Sequence, residues 1–219
     1  MVLFNQYAPA LAEQQIVFQF NDKQLIASLF NRANNCLVHE VTKIYTLGQH
    51  AIVDGMIINH MRVEKLIADF INEQQGQDAS ISFIFDEPLV TQEIVYRSDK
   101  DIQKYLKEKW QSHHCQADYL FSWEHEFCFY VCAIAQPALF GYLLLASGRP
   151  LQTVTTRYAS KLQLYKKLKQ STFNQSQLAV TLRASNHKIP IDYAKLATIV
   201  KLPSTIDVEL IGPAVGALL

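Results

Sequence analysis

The sequence predicts an α/β fold with mixed sheets, in which strands and helices alternate along the chain. Apolar residues recur with period two in several short segments and at helical spacing in others, and short polar turns join neighbouring strand segments. The chain has 219 residues, of which 49% are hydrophobic and 18% charged. It is therefore long and apolar enough to bury the core of one or two domains.

The first third of the chain predicts a strand-rich start followed by a helix. Strands are expected at residues 16–20, 24–31 and 37–47. Asn21-Asp22-Lys23 has the composition of a tight hairpin turn between the first two strands, and Val53-Asp54-Gly55 is a further turn. Residues 60–74 predict a helix because their apolar side chains fall mostly on one face.

The remainder predicts further strands and helices in alternation. Strands are expected at 80–85, 91–97, 118–123, 127–135, 151–154 and 177–183, and helices at 99–110, 137–146, 157–169 and 192–200. Asp86-Glu87-Pro88 is expected to join the first two of these strands as a hairpin, and Glu124-His125-Glu126 the next two.

An uncharged stretch from Phe127 to Gly148 is long enough to span a bilayer. However, Gln136-Pro137 interrupts it, and its first half is rich in strand-forming residues. A buried strand followed by a buried helix is therefore favoured, with a membrane helix as the alternative. The earliest basic residue is Lys23, so the charged start of a secretory signal is missing and we expect the chain to remain inside the cell.

The charge distribution gives no sign of a nucleic-acid partner. The sequence has 20 basic and 20 acidic residues, so the formal net charge is zero and long-range attraction to nucleic acid is not expected. The predicted helix at 157–169 is basic, because it contains Arg157, Lys161 and three further lysines up to Lys169. A solvated outer face is the favoured interpretation of this helix, over contact with an acidic partner or a membrane surface.

Metal-binding and nucleophilic sites have weak support. The four cysteines form no CxxC pair, which favours reduced and packed thiols. His113-His114-Cys115 could be a metal site or a Cys/His nucleophile pair, but adjacent side chains usually point apart, whereas zinc ligands must converge. We therefore expect a helix end and loop there, with no metal and no catalytic residue.

Four stretches, taken in order, carry a resemblance to a known family. They are IVFQFNDKQLIASLF, IVDGMIINHMRVEKLIADFI, residues 116–165 and the terminal VELIGPAVGALL. They resemble, respectively, the first phosphate-binding hairpin, the start of the inserted subdomain, the return from it and the closing segment of the PilM family. This family comprises actin-like proteins similar to FtsA, and the chain is most similar in kind to its short HofM and ComA members.

The resemblance implies an actin-like first lobe of the FtsA/PilM type, with an inserted subdomain and a truncated second lobe. The implied core subdomain comprises residues 1–52 and 148–170, and the inserted subdomain with its return strands comprises 53–147. Residues 171–219 would form a reduced second-lobe remnant and the C-terminal segment.

The nucleotide site of actin-like proteins is expected to be absent. Phosphates are held there by glycine-rich hairpins, whose backbone must approach the anion closely. Asn21, Asp22 and Lys23 stand at the first such hairpin without a glycine, and no glycine occurs between Arg149 and Ile211. We therefore expect no cofactor and no enzymatic activity.

The resemblance implies a cytoplasmic adaptor of type IV pilus or DNA-uptake (competence) machinery, peripheral to the inner membrane through its partner. In the family, that partner is the N-terminal tail of the inner-membrane protein PilN, bound in a groove between the first subdomain and the inserted one. Carried over to this chain, the groove would be lined by Asp54, Gly55, Met56, Ile57 and Ile58 and by the strand residues Glu93, Val95 and Arg97. There are two alternatives to the adaptor. One is a nucleotide-binding actin-like ATPase, and the other is a scaffold similar to the cytoplasmic domain of GspL in type II secretion.

Overall fold

A six-stranded mixed sheet forms the centre of the molecule. A computed structural model of the chain describes residues 13–33, 36–49, 51–53, 56–74, 78–96, 119–124, 128–134, 143, 147–168 and 193–219. The strands of the central sheet are β1 (Gln14–Phe20), β2 (Gln24–Ala33), β3 (Cys36–Thr46), β6 (Ser80–Phe85), β10 (Leu151–Thr156) and β11 (Val200–Lys201). Their spatial order is β10-β6-β1-β2-β3-β11. The first three strands pair antiparallel, whereas β6, β10 and β11 pair parallel to their neighbours.

Two smaller groups of strands and four helices complete the described fold. The strands are β4 (Ile52–Val53), β5 (Met56–Ile57), β7 (Val90–Tyr96), β8 (Tyr119–Glu124) and β9 (Cys128–Ile134). β4 and β5 form a hairpin, and the others form an antiparallel sheet in the order β7-β9-β8. The helices are α1 (His60–Glu73), α2 (Arg157–Lys167), α3 (Tyr193–Leu196) and α4 (Val208–Ala217). Among the described residues, no helix combines the length and the apolar character needed to cross a bilayer.

The first face of the central sheet packs against α1. Because side chains alternate along a strand, Ile16, Phe18 and Phe20 lie on this face. The Phe18 ring stacks on Phe83 of β6 at 5.9 Å between centroids and meets Phe70 of α1 edge-on, also at 5.9 Å. This aromatic packing fixes α1 against the middle of the sheet.

Helix α1 has the limits that its sequence predicts. Asn59 caps its N-terminus, since the side-chain Oδ1 accepts a hydrogen bond of 3.2 Å from the backbone N–H of Arg62. Its buried residues recur at helical spacing and are Val63, Ile67, Phe70 and Ile71. The helix therefore forms because one apolar stripe faces the sheet.

The second face of the sheet packs against α2 and α4. These helices cross so closely that a Cβ added at Gly216 would lie 1.9 Å from the backbone oxygen of Ser160. Lys161 of α2 is 1% exposed, and its Nζ lies 2.9 Å from Oε2 of Glu209 in the first turn of α4. The prediction of a solvated basic face is therefore wrong for Lys161, because α4 covers that side of the helix.

Most predicted elements are confirmed to within a few residues. They are the strands at 16–20, 24–31, 37–47, 80–85, 91–97, 118–123, 127–135 and 151–154 and the helices at 60–74 and 157–169. In the uncharged stretch, the strand interpretation is confirmed by β9. The predicted helix at 99–110, the strand at 177–183 and most of the helix at 137–146 lie outside the described residues. The proposed domain boundaries stay a prediction.

One predicted connection is wrong, and one predicted helix is shorter than expected. Strands β6 and β7 do not form a hairpin, since β6 pairs with β1 and β10 in the central sheet and β7 pairs with β9 in the other. All six residues of β6 are buried, as expected for a strand covered on both faces. The predicted helix at 192–200 is shorter, because α3 is followed by a turn and by β11, which extends the central sheet beside β3.

Candidate functional site

The carboxyl ends of three parallel strands meet at one edge of the central sheet, which is where open α/β sheets usually bind ligands. β1 ends there at Phe20, β6 at Phe85 and β10 at Thr156. The chain continues from these ends into the Asn21–Lys23 turn, into Asp86 and into Arg157. These residues decide what the edge can hold.

The Asn21–Lys23 turn satisfies its own backbone. Oδ1 of Asn21 accepts hydrogen bonds from the backbone N–H groups of Lys23 (2.9 Å) and Gln24 (2.8 Å). The backbone N–H of Asn21 donates to the carbonyl oxygen of Gln24 at 3.1 Å. Three N–H groups that a phosphate hairpin would present to its anion therefore already have partners within the turn.

The charges of the turn also oppose an anion. The carboxylate of Asp22 is half exposed and lies 3.9 Å from Nζ of Lys23. A phosphate approaching Lys23 would meet this carboxylate, and repulsion between like charges disfavours its binding. Both side chains are largely in water, so they do not form a closed site.

Asp86 and Arg157 form an ion pair that the sequence interpretation missed. Nη1 of Arg157 lies 3.1 Å from Oδ2 of Asp86, and their side chains are 34% and 21% exposed. The backbone N–H of Asp86 donates to the carbonyl oxygen of Phe20 at 2.9 Å, which ties β6 to β1. An aspartate directly after the strand segment SISFIF and an arginine opening a helix were the signals that could have indicated this pair.

The β4–β5 hairpin exposes apolar side chains where a partner groove was predicted. Met56 is 42% and Ile58 55% exposed, whereas Ile57 between them is fully buried. Val53 on β4 is 37% exposed. We call Val53, Met56 and Ile58 the hairpin patch. The predicted groove residues Asp54 and Gly55 lie outside the described residues.

Strand β7 contains the other predicted groove residues, Glu93 and Val95. They pair with Val131 and Phe129 of β9, and the order β7-β9-β8 places β7 at an edge of its sheet. Within the described part of the chain, the other side of β7 has no strand partner. Arg97 lies outside the described residues.

The hairpin patch and β7 are anchored on the same core. Val90, the first residue of β7, is buried in one apolar cluster with Ala51 and Ile57, which flank or belong to the hairpin. The hairpin and the start of β7 are thus anchored in one apolar cluster. The His113-His114-Cys115 triplet lies outside the described residues, and within them no group of side chains could hold a metal ion.

Comparison with solved structures identifies the fold. No protein-family model and no curated protein sequence matches the chain. The chain is similar to the PilM–PilN type IV pilus biogenesis complex, with a TM-score of 0.52 and 12% identity over 74% of this chain. The fold is actin-like, as in PilM.

The match to PilM is partial, since this chain spans about half of that chain, 52% of its length. A weaker likeness is to the cytoplasmic domain of EpsL, an inner-membrane component of the type II secretion system of Vibrio cholerae. Its TM-score is 0.44 and its identity 10%, over 67% of this chain and 57% of that one. The Ppx/GppA phosphatase of Aquifex aeolicus has a TM-score of 0.32 and 7% identity over 70% of this chain and 40% of that one.

Proposed function

We propose that this chain is a non-catalytic adaptor of type IV pilus or DNA-uptake machinery, and that it binds the N-terminal tail of a PilN-like inner-membrane protein. Support for the type of partner comes from the PilM–PilN complex, whose fold the chain shares. The observation that carries the proposal is an exposed apolar hairpin anchored on the same core as a sheet edge. The chain would be a short member of the HofM/ComA kind, held at the cytoplasmic face of the inner membrane by its partner.

The two surfaces suit an extended peptide. An edge strand offers a row of main-chain donors and acceptors, to which a peptide can add as a further strand. The hairpin patch offers apolar contacts for alternate side chains of that peptide, since Met56 and Ile58 are exposed and spaced two residues apart. Main-chain hydrogen bonds would then supply affinity, and the patch would supply specificity.

The absence of catalysis is proposed from the carboxyl edge of the central sheet. Backbone N–H groups of the turn already donate to Oδ1 of Asn21. Asp22 places a carboxylate beside Lys23, the single lysine of the turn. The ion pair between Asp86 and Arg157 joins the two neighbouring strand ends. A triphosphate at this edge would have to break these bonds and would gain few in return.

Peptide titration tests the proposal directly. The probe is a synthetic peptide with the cytoplasmic N-terminal residues of a PilN-like inner-membrane protein. Calorimetry should detect binding, and Ile58→Asp should weaken it by about tenfold or more, since a charge would replace an apolar contact of about 1.5–3 kcal/mol. Ile44→Asp is the matched control, because Ile44 is 50% exposed on β3. Side chains alternate along a strand, so Ile44 lies on the face opposite Tyr45, which packs against the cluster that contains Ile57.

Two results would reject the adaptor. One is wild-type protein that does not bind the peptide at high micromolar concentration. The other is a thermal-shift experiment in which ATP with Mg²⁺ raises the melting temperature, because a ligand that binds only the folded state must stabilise it. That second result would favour the nucleotide-binding ATPase instead.

A further inference from the structure

Asp86 is the point where the central sheet connects to the proposed peptide-binding strand. Its backbone N–H donates to Phe20 at the end of β1 (2.9 Å), and its carbonyl oxygen accepts from the N–H of Leu89 (3.0 Å). Its Oδ1 accepts from the backbone N–H of Glu87 at 3.0 Å. The turn from Asp86 to Leu89 leads directly into Val90, where β7 begins. The position of the strand therefore depends on how firmly this turn is held.

Arg157 holds the turn from a rigid element. It is the first residue of α2, whose start is capped by Thr156, since Oγ1 of Thr156 accepts from the N–H of Ala159 at 3.1 Å. The same helix also packs closely against α4, since Gly216 of α4 lies against the backbone of Ser160 in α2. The guanidinium thus reaches Asp86 from a helix that packs against both the sheet and α4.

We propose that the Asp86–Arg157 ion pair positions β7 for peptide binding, so that both residues act on the partner without touching it. This inference rests on the proposed adaptor function. At the edge where an actin-like protein would place a nucleotide, the chain uses an internal ion pair to fix the neighbouring turn. The peptide-binding strand is therefore held in place without a ligand.

The expected loss of peptide affinity depends on the fraction of molecules in which β7 is correctly placed for binding. If the pair is lost, the turn still forms its backbone bonds, but β7 samples more positions relative to the hairpin patch. The apparent affinity for the peptide then falls in proportion to the fraction of molecules in the binding-competent position. Because the pair is only partly exposed, we expect roughly fivefold weaker binding.

Arg157→Gln and Asp86→Asn test this positioning role, with two readouts. Calorimetry with the synthetic N-terminal peptide should show weaker binding for both variants. Hydrogen exchange of residues 89–96, measured on protein without peptide, should become faster in both. Asp86→Asn keeps an oxygen for the N–H of Glu87, so it separates the loss of the ion pair from the loss of the turn. Arg157→Lys keeps the positive charge and should restore part of the affinity.

Lys43→Gln is the matched control, because Lys43 forms an ion pair with Glu73 between β3 and α1, with side chains 40% and 50% exposed. It should change neither the affinity nor the exchange of residues 89–96. If wild-type protein binds the peptide and Arg157→Gln binds it equally well, the positioning role is wrong and the adaptor stands. If wild-type protein does not bind the peptide, the proposed adaptor function is wrong. If hydrogen exchange of residues 89–96 is the same in Arg157→Gln as in wild-type protein, the ion pair does not position β7.

Discussion

At Gly216, α4 crosses α2 without room for a side chain. A Cβ there would lie 1.9 Å from the oxygen of Ser160 and 2.7 Å from its carbonyl carbon, both backbone atoms that cannot move away independently. We expect Gly216→Ala to lower the free energy of unfolding by about 3 kcal/mol, the upper part of the range for overpacked sites. Urea unfolding followed by circular dichroism measures it.

Gly148 provides the comparison for this prediction. Its φ is +59°, yet a Cβ added there would meet no atom within 4 Å. Gly148→Ala should therefore cost only the backbone strain of the left-handed region, roughly 1 kcal/mol. Equal losses for the two variants would contradict the close helix crossing at Gly216.

His39 on β3 makes the stability of the fold depend on pH. The residue is 7% exposed, and its ring meets Phe30 edge-on, with 5.4 Å between the ring centroids. Burial lowers the pKa of His39 below its ordinary value of 6.5, and the charge of Glu40 opposes this only in part. The unfolded chain then binds the proton more readily than the folded one. The contribution of neutral His39 is therefore full above pH 6.5 and is lost as the pH falls through the lowered pKa.

The check is urea unfolding at about pH 7.5 and about pH 5.5, on either side of the ordinary histidine pKa. The free energy of unfolding should fall on acidification. Nε2 of His39 lies 2.8 Å from Oγ1 of Thr42. His39→Gln should reduce the fall, since an amide can also bond this hydroxyl but does not titrate. A wild-type stability that is unchanged, or that increases toward acid, would show that His39 is not held neutral.

On the scale of elements, the pairing of α2 with α4 depends on a buried charge. Lys161 is 1% exposed, whereas its partner Glu209 is 42% exposed on its side chain. Removing the carboxylate alone leaves a buried ammonium group without this counter-charge. Glu209→Gln should therefore destabilise the protein by about 1–2 kcal/mol, less than for a fully buried pair because water reaches Glu209.

The double variant Lys161→Met/Glu209→Gln tests the cause. Methionine has a similar length and no charge, so the double variant should recover most of the loss seen in Glu209→Gln, as measured by thermal unfolding. Lys167→Met is the control, since Lys167 is exposed on the same helix and should change little. If the double variant is less stable than Glu209→Gln, the buried charge is not the source of the cost.

On the scale of the whole molecule, residues 193–219 belong to the core of the central sheet. The second apolar cluster receives from this segment Leu196, Val200, Val208, Ala214, Val215 and Leu218. Each buried aliphatic side chain contributes about 1.5–3 kcal/mol. Losing several together would remove most of the net stability of a domain, which is about 5–15 kcal/mol.

A chain ending at residue 192 should therefore lose its fixed tertiary packing. Near-ultraviolet circular dichroism should lose its aromatic signal, and dye binding to exposed apolar surface should increase. Coexpression of residues 193–219 as a separate peptide should restore the signal, because β11 and α4 supply the missing contacts. A truncated chain with native spectra would show that the segment is peripheral.

The sequence determined most elements by itself, because their signals are local. Residues that are close together in the sequence encode the period-two strands β1 and β2, the turn at Asn21 and the apolar stripe of α1. The lack of glycine at the first hairpin could likewise be seen without coordinates.

Only the tertiary structure decided which elements meet. Strand β6 joined β1 and β10 instead of β7, Lys161 became buried under α4, and Asp86 came within bonding distance of Arg157 across 71 positions of sequence. Such contacts depend on the long-range order of strands, and no periodicity within a short window encodes it. The local pattern therefore fixed the elements of this protein, whereas packing between distant segments fixed the ion pair and the strand edge on which its proposed function depends.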